Sequence, residues 1–154
     1  MYLNIYNNLV KLTRNKLLYN KTSCEDTFST RLLIFLFHFA FFLGIYKSSS
    51  NKKKIQKIYD LIFKQIELSI REIGYGDVVV NKKMKTYINM FYLILEKTDK
   101  WDVTKHDGKS YYLSFFFEKG TDINYFISYF DKYRLFLLNN TLNYFAKDVI
   151  SFKF

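Results

Sequence analysis

The chain has 154 residues, enough for one domain whose core needs no disulfide or metal staple. Hydrophobic residues make up 49% of it, which excludes a disordered tail protein, and zero prolines with only five glycines leave long helices unbroken. Lys and Arg number 24 against 14 acidic residues, a formal net charge of +10 that attracts RNA, anionic headgroups or acidic protein surfaces.

From Met1 to Tyr19 apolar residues are interleaved with Asn and Lys. The stretch has neither the continuous apolar run nor the small-residue cleavage site of a secretory signal. Lys11, Arg14 and Lys16 give it a faint transit-peptide character, but it reads as mature protein. Ile5, Leu9, Leu12 and Leu17 form an approximate stripe and predict one helix over 3–19. Lys21 to Asp26 is a polar break containing Cys24, the sole cysteine. One cysteine forms no internal disulfide, two histidines beside it make a poor metal set, and a reducing compartment is the simplest setting.

Asp26 or Thr27 can cap the next helix, expected from Phe28 to Lys47. Within it, Leu32 to Tyr46 is apolar almost all round, as in a helix at the centre of a bundle. The run falls short of the roughly 20 residues that span a bilayer, so it reads as a core helix, with membrane-surface contact left open. His38 near its middle reads as a buried neutral imidazole bonded to a neighbour.

After Ser48 to Asn51, Ile55, Ile58, Tyr59, Ile62, Ile66, Ile70 and Ile73 recur at steps of three and four, predicting an amphipathic helix that stops at Gly74. Asn81 is the expected cap of a fourth helix with Met84, Tyr87, Ile88, Phe91 and Leu95 on one face. Thr98 to Lys109 reads as a polar irregular segment, Tyr111 to Phe117 as a short helix, and Asp122 as the cap of a final helical region. The expectation is an all-α fold, a single-domain bundle of about six helices over 1–154.

One block has a specific character. Ile70-Arg71-Glu72-Ile73-Gly74-Tyr75-Gly76-Asp77, then Val80 and Lys82-Lys83-Met84-Lys85, resembles the signature of the ubiquinol–cytochrome c chaperone family. In that family a helix ends in Leu-Arg-Glu-Leu/Met-Gly-Val-Gly-Asp and is followed by a valine and a basic helix start. Arg71, Glu72, Gly74, Gly76 and Asp77 match directly. Ile70, Ile73, Tyr75 and Asn81 depart from the usual residues. Upstream, Asp26-Thr27-Phe28, Arg31 and His38 resemble the family's pattern of an arginine opening an apolar helix with one histidine, with Leu32 in place of a phenylalanine. Ile5-Tyr6, the stretch from Arg14 to Tyr19, and Phe91-Tyr92 extend the likeness over about residues 3–95.

The Gly74 to Asp77 segment is not a phosphate loop. Such loops open a helix, whereas these glycines close one, where carbonyls dominate and Asp77 adds negative charge. Gly74 and Gly76 are expected to take positive φ in a tight turn, and Asp77 to bond amides of that turn or of the next helix start. Arg71 and Glu72, about 100° apart on a helix, cannot simply neutralise each other. Arg31 is expected to join His38 in a polar core, bonding Glu72 or Asp77. Lys82, Lys83 and Lys85, with Lys52, Lys53 and Lys54, read equally as solvated faces or as a docking patch. The charge also has a compositional reading, since an A/T-rich coding sequence favours Lys, Asn, Ile, Tyr and Phe.

The resemblance implies an assembly chaperone for the cytochrome bc1 complex (respiratory complex III), without catalytic residues, metal or cofactor, and not an enzyme. Its implied client is newly made cytochrome b or its complex, with Arg71, Glu72, Gly74, Gly76, Asp77, Lys82, Lys83 and Lys85 as the motif and client-binding set. Further expectations are ribosome contact, a small partner chaperone and peripheral membrane contact. An alphaproteobacterial-type member would work in the cytoplasm or on the inner face of the cytoplasmic membrane. The competing reading is a basic helical module that binds ribosomal RNA or the anionic membrane surface without a dedicated client.

Overall fold

A computed structural model describes residues 1–147 and 151. Among the described residues there are eight α-helical segments and no strand: α1 (Tyr2–Thr13), α2 (Lys16–Asn20), α3 (Phe28–Tyr46), α4 (Lys52–Glu72), α5 (Asp77–Asp99), α6 (His106–Phe116), α7 (Ile123–Leu138) and α8 (Leu142–Phe145). Single 3-10 turns lie at Ser49–Asn51 and Trp101–Val103.

The helix expected over 3–19 is two helices. Asn15 takes an extended backbone and its side chain accepts from the Leu17 amide, an asparagine N-cap that starts a new helix in the middle of the stripe. Tyr19 ties the two together by donating to the Thr13 carbonyl at 2.9 Å.

α3 is the axle of the bundle. Thr27 caps it by accepting from the Thr30 amide at 3.2 Å, and α1, α5 and α7 pack around it. It is long and apolar enough to cross a membrane by composition, but most of that apolar stretch is buried inside the fold. Phe37, Phe39 and Phe42 are wholly enclosed. Burying an aromatic of this size is worth about 1.5–3 kcal/mol, so this helix contributes heavily to the packing of the core. Phe39 stacks on Phe91 of α5 at 5.1 Å between centroids, and Phe41 on Phe130 of α7 at 5.2 Å.

On α4 the expected stripe is the buried face, with Ile58, Ile62, Phe63, Ile66 and Ile70 inside. Ile73 is the exception. It lies past the last helical turn as the C-cap and is 50% exposed. α5 begins at Asp77, four residues before the expected cap. Gly76 is the cap residue, so it opens α5 and only Gly74 closes a helix, contrary to the expectation for both; the Val80 amide already donates to the Gly76 carbonyl at 3.0 Å. Asn81 is an exposed position inside the helix.

The segment 98–109 is more ordered than its polarity suggested: α5 runs to Asp99, a 3-10 turn buries Trp101, and α6 starts at His106. Trp101 is accommodated because Asp131 on α7 accepts its indole N–H at 2.7 Å, which removes the cost of burying that polar atom. Asp122 caps α7 as expected, accepting from the Tyr125 amide at 3.1 Å. The final region then breaks, and Thr141 caps a separate α8. Asn8 of α1 holds that end of the chain, donating to the carbonyls of Phe145 and Lys147 at 2.9 Å each.

Candidate functional site

Antiparallel α4 and α5 are joined by a turn that carries the sequence block singled out above. Their shared interface is aromatic: Phe63 packs edge-on against Phe91 at 5.4 Å, and the hydroxyls of Tyr59 and Tyr92 lie 3.2 Å apart. The turn is held by Arg71. Its Nε and Nη2 donate to Glu67 Oε1 at 3.0 and 2.9 Å, and its Nη1 donates to Asp77 Oδ1. The bond to Asp77 and then the bond to Glu67 raise the guanidinium's pKa above its ordinary value.

The two glycines differ. Gly74 has φ +104°, the left-handed geometry that ends a helix and penalises any side chain. Gly76 has φ −73°, an ordinary value, and a Cβ there would meet nothing within 4 Å. The expectation of positive φ therefore holds for Gly74 only. Asp77 also departs from expectation: Arg71, not an amide of the turn, is its partner.

Around this latch the surface is apolar. Ile73 is 50% exposed, Tyr75 41%, Val78 79% and Val79 42%. Four such side chains within seven residues are a concentration that a folded surface rarely leaves uncovered. Lys83 places its ammonium 4.7 Å from the Tyr75 ring centroid. Lys82 neighbours Lys83 and Val79 on one side, and with Lys85 it edges a broad groove of about 830 Å³ between α4 and α5, which Val78 also lines. That groove is floored by Phe63, Met84 and Ile88 and edged by Lys64, Asp60 and Glu67.

The lysines do not form one patch. Lys64 shares the groove with Lys82 and Lys85, whereas Lys53 stands 11 residues earlier on α4, about 16 Å away at 1.5 Å per residue. Glu72 is exposed beside the latch, and no bond from its carboxylate joins it to Arg71 or Arg31.

Arg31 and His38 separate. Arg31 is exposed on the first turn of α3, where both of its contacts go to Asp26 in the preceding linker, with Nη2 at 2.9 Å from Oδ2. It is not part of a polar core and reaches neither Glu72 nor Asp77. His38 is fully buried. Its Nδ1 lies 2.8 Å from the Ile34 carbonyl and its Nε2 lies 2.6 Å from the Tyr129 hydroxyl. A carbonyl only accepts, so Nδ1 carries the proton and Nε2 accepts from Tyr129. Burial pushes the imidazole down to about 4, keeping it neutral. The Tyr133 hydroxyl donates to the His38 carbonyl at 3.2 Å, which completes a packed tie between α3 and α7.

The exposed quartet around the latch is hidden in the sequence, because a helical stripe assigns Ile73 to the core. So is a groove between α5 and α6 floored by Trp101. The one available signal was a lone tryptophan set in a polar segment. Among the described residues, no three His, Cys, Asp or Glu side chains gather as metal ligands would.

Comparison with known proteins places this architecture. A family model described as "Ubiquinol-cytochrome C chaperone" matches residues 20–109, that is 90 of the 154 residues. The matched stretch runs from the end of α2 into α6 and contains the whole α4–α5 turn. It begins and ends later than the likeness over 3–95. Among solved structures, the crystal structure of the Cbp3 homolog from Brucella abortus is similar, with a TM-score of 0.81 at 24% identity, over 99% of this chain and 88% of that one. That likeness shows a shared fold. No curated protein matches the chain.

Proposed function

The chain belongs to the ubiquinol–cytochrome c chaperone family, and from that premise we propose that it holds newly made cytochrome b through the α4–α5 turn during assembly of the cytochrome bc1 complex. Family membership implies the assembly role; the client and the face are the proposal. The observation that carries the face is the exposed quartet Ile73, Tyr75, Val78 and Val79, located where the family's signature residues stand. A membrane subunit waiting for its partners exposes apolar surface that water disfavours. A rigid turn with uncovered apolar side chains shields such surface without any covalent step. The Arg71 latch keeps the quartet from collapsing onto the bundle, and Lys82, Lys83 and Lys85 border it with charge for the client's polar loops or for anionic headgroups.

On this reading the protein works in the cytoplasm or at the inner face of the cytoplasmic membrane, with ribosome contact and a small partner chaperone as further interactions. The test is deletion of the gene followed by measurement of cytochrome b and of assembled bc1 complex. Both should fall while other membrane proteins stay level; normal bc1 with other membrane proteins reduced overturns the assembly role. The net charge of +10 supports a second reading, a basic module on ribosomal RNA or anionic membrane. Binding of that kind weakens steeply with salt, whereas apolar client binding should survive a move from low to moderate salt.

A further inference from the structure

The C-terminal half of α5 and the outer side of α6 form a second surface, made of residues outside the family signature. Leu93, Lys97 and Lys100 stand on one rim, and Tyr111 and Phe115 on the other. Between them runs a groove of about 420 Å³ with Trp101 in its floor. Tyr111 is 85% exposed and Phe115 77%. These are adjacent rings on one helix face, one turn apart, and such area is ordinarily buried.

The charge here has one sign. The groove's lining includes three lysines and no carboxylate. Lys109 belongs to the floor: it bonds Asp131 at 3.0 Å and lies 4.8 Å above the Trp101 ring. Lys97 and Lys100 are exposed, and among the described residues neither has a carboxylate partner.

We propose that this groove docks an amphipathic helix of a partner protein, its apolar side chains seated against Leu93, Tyr111 and Phe115 and its acidic residues facing Lys97 and Lys100. The shape selects a helix. Two helical rims with apolar residues one turn apart receive side chains projected at i, i+4 and i+7 from a single face, while a flat lipid surface would be met by a convex ridge. The sign selects the flanks, since unpaired lysines on a rim favour an acidic partner and repel a basic one. A second copy of this chain, itself at +10, is disfavoured on the same ground. From Val78 to Lys97 α5 advances 19 residues, about 28 Å, so this groove and the α4–α5 turn can be occupied together. The proposal does not rest on the client reading.

Trp101 is the chain's only tryptophan, so its selectively excited emission reports on this groove. The probe is a synthetic helix of about 15 residues with leucines on one face and glutamates on both flanks, compared with the same peptide carrying lysines on the flanks. Phosphatidylglycerol vesicles are the third probe. The glutamate peptide should give a saturable emission change, weakened about tenfold or more by Phe115→Ser and by Lys97→Glu combined with Lys100→Glu. All three positions are exposed, and unchanged circular dichroism will show that the variants are folded. The proposal is overturned by no saturable change, by equal affinity for the lysine peptide, or by a response to vesicles but not to peptide. A dimer in sedimentation that Phe115→Ser abolishes would overturn it as well.

Discussion

Arg71 and Asp77 tie the end of α4 to the start of α5: the guanidinium donates to the Asp77 carboxylate across the turn while holding Glu67 one helical turn behind. Six residues separate the pair in sequence, and everything between them is exposed. The latch therefore acts on the shape of the turn more than on the stability of the bundle. Its Asp77 side chain is 82% exposed, and ion pairs so open to water add little to folding. Asp77→Asn should leave the melting temperature nearly unchanged while raising hydrogen exchange several-fold at the bonded amides of Gly74 and Val80. A large fall in melting temperature would show that the latch has a global role.

The two glycines of the turn should respond differently to the same change. Gly74→Ala forces a Cβ into φ +104° and is expected to cost roughly 1–2 kcal/mol, read as a lower denaturation midpoint. Gly76→Ala meets ordinary φ and open space and should stay within about 0.5 kcal/mol of the parent. If Gly76→Ala folds normally yet loses client binding, that glycine serves close approach by the client.

His38 makes stability depend on pH. Burial pushes its folded pKa down to about 4, below the ordinary 6.5 of an exposed imidazole, so the unfolded chain takes up the proton first. The stabilisation is complete above pH 6.5 and is lost as pH falls toward 4, roughly 3 kcal/mol in all. In His38→Gln that contribution disappears. Urea denaturation from pH 7 to pH 4 should show a shallower acid loss for the variant than for the parent, and parallel curves would refute the assignment.

Asn8 is 1% exposed and spends both amide hydrogens on the carbonyls of Phe145 and Lys147, and among the described residues its own Oδ1 has no partner. Asn8→Ala removes two long-range hydrogen bonds and should cost about 1–3 kcal/mol. Hydrogen exchange should locate the loss at α8 more than at α3. Uniform loosening of the whole bundle would contradict this.

Val78 and Ile73 separate function from folding. Val78→Asp, at a 79% exposed position in the first turn of α5, should stay within about 0.5 kcal/mol of the parent, and Ile73→Asp, at the half-exposed C-cap of α4, should cost about 1 kcal/mol. Cytochrome b captured with the protein should nevertheless fall sharply. Unchanged capture would remove the turn as the client face, whatever happens to the lysines.

Local periodicity and local chemistry were legible in the chain itself. The nearly continuous apolar run of α3, the stripe of α4, the left-handed stop at Gly74 and the caps at Thr27 and Asp122 each depend on residues a few positions apart, where spacing alone decides. The signature from Arg71 to Asp77 was legible for the same reason, since it sits at one helix end. Choices among distant partners were not. For Arg31 the chain offered Asp26, five residues before it, as well as the distant Glu72 and Asp77, and only the packed fold selected the near one. The partner of His38 lies 91 residues away, and the burial of Trp101 depends on Asp131 arriving from α7. Ile73 fits the stripe but falls just beyond the helix, so its exposure followed from where the turn began. The α5–α6 groove arises between helices that no sequence period relates, and tertiary packing alone placed its aromatic and lysine rims opposite each other.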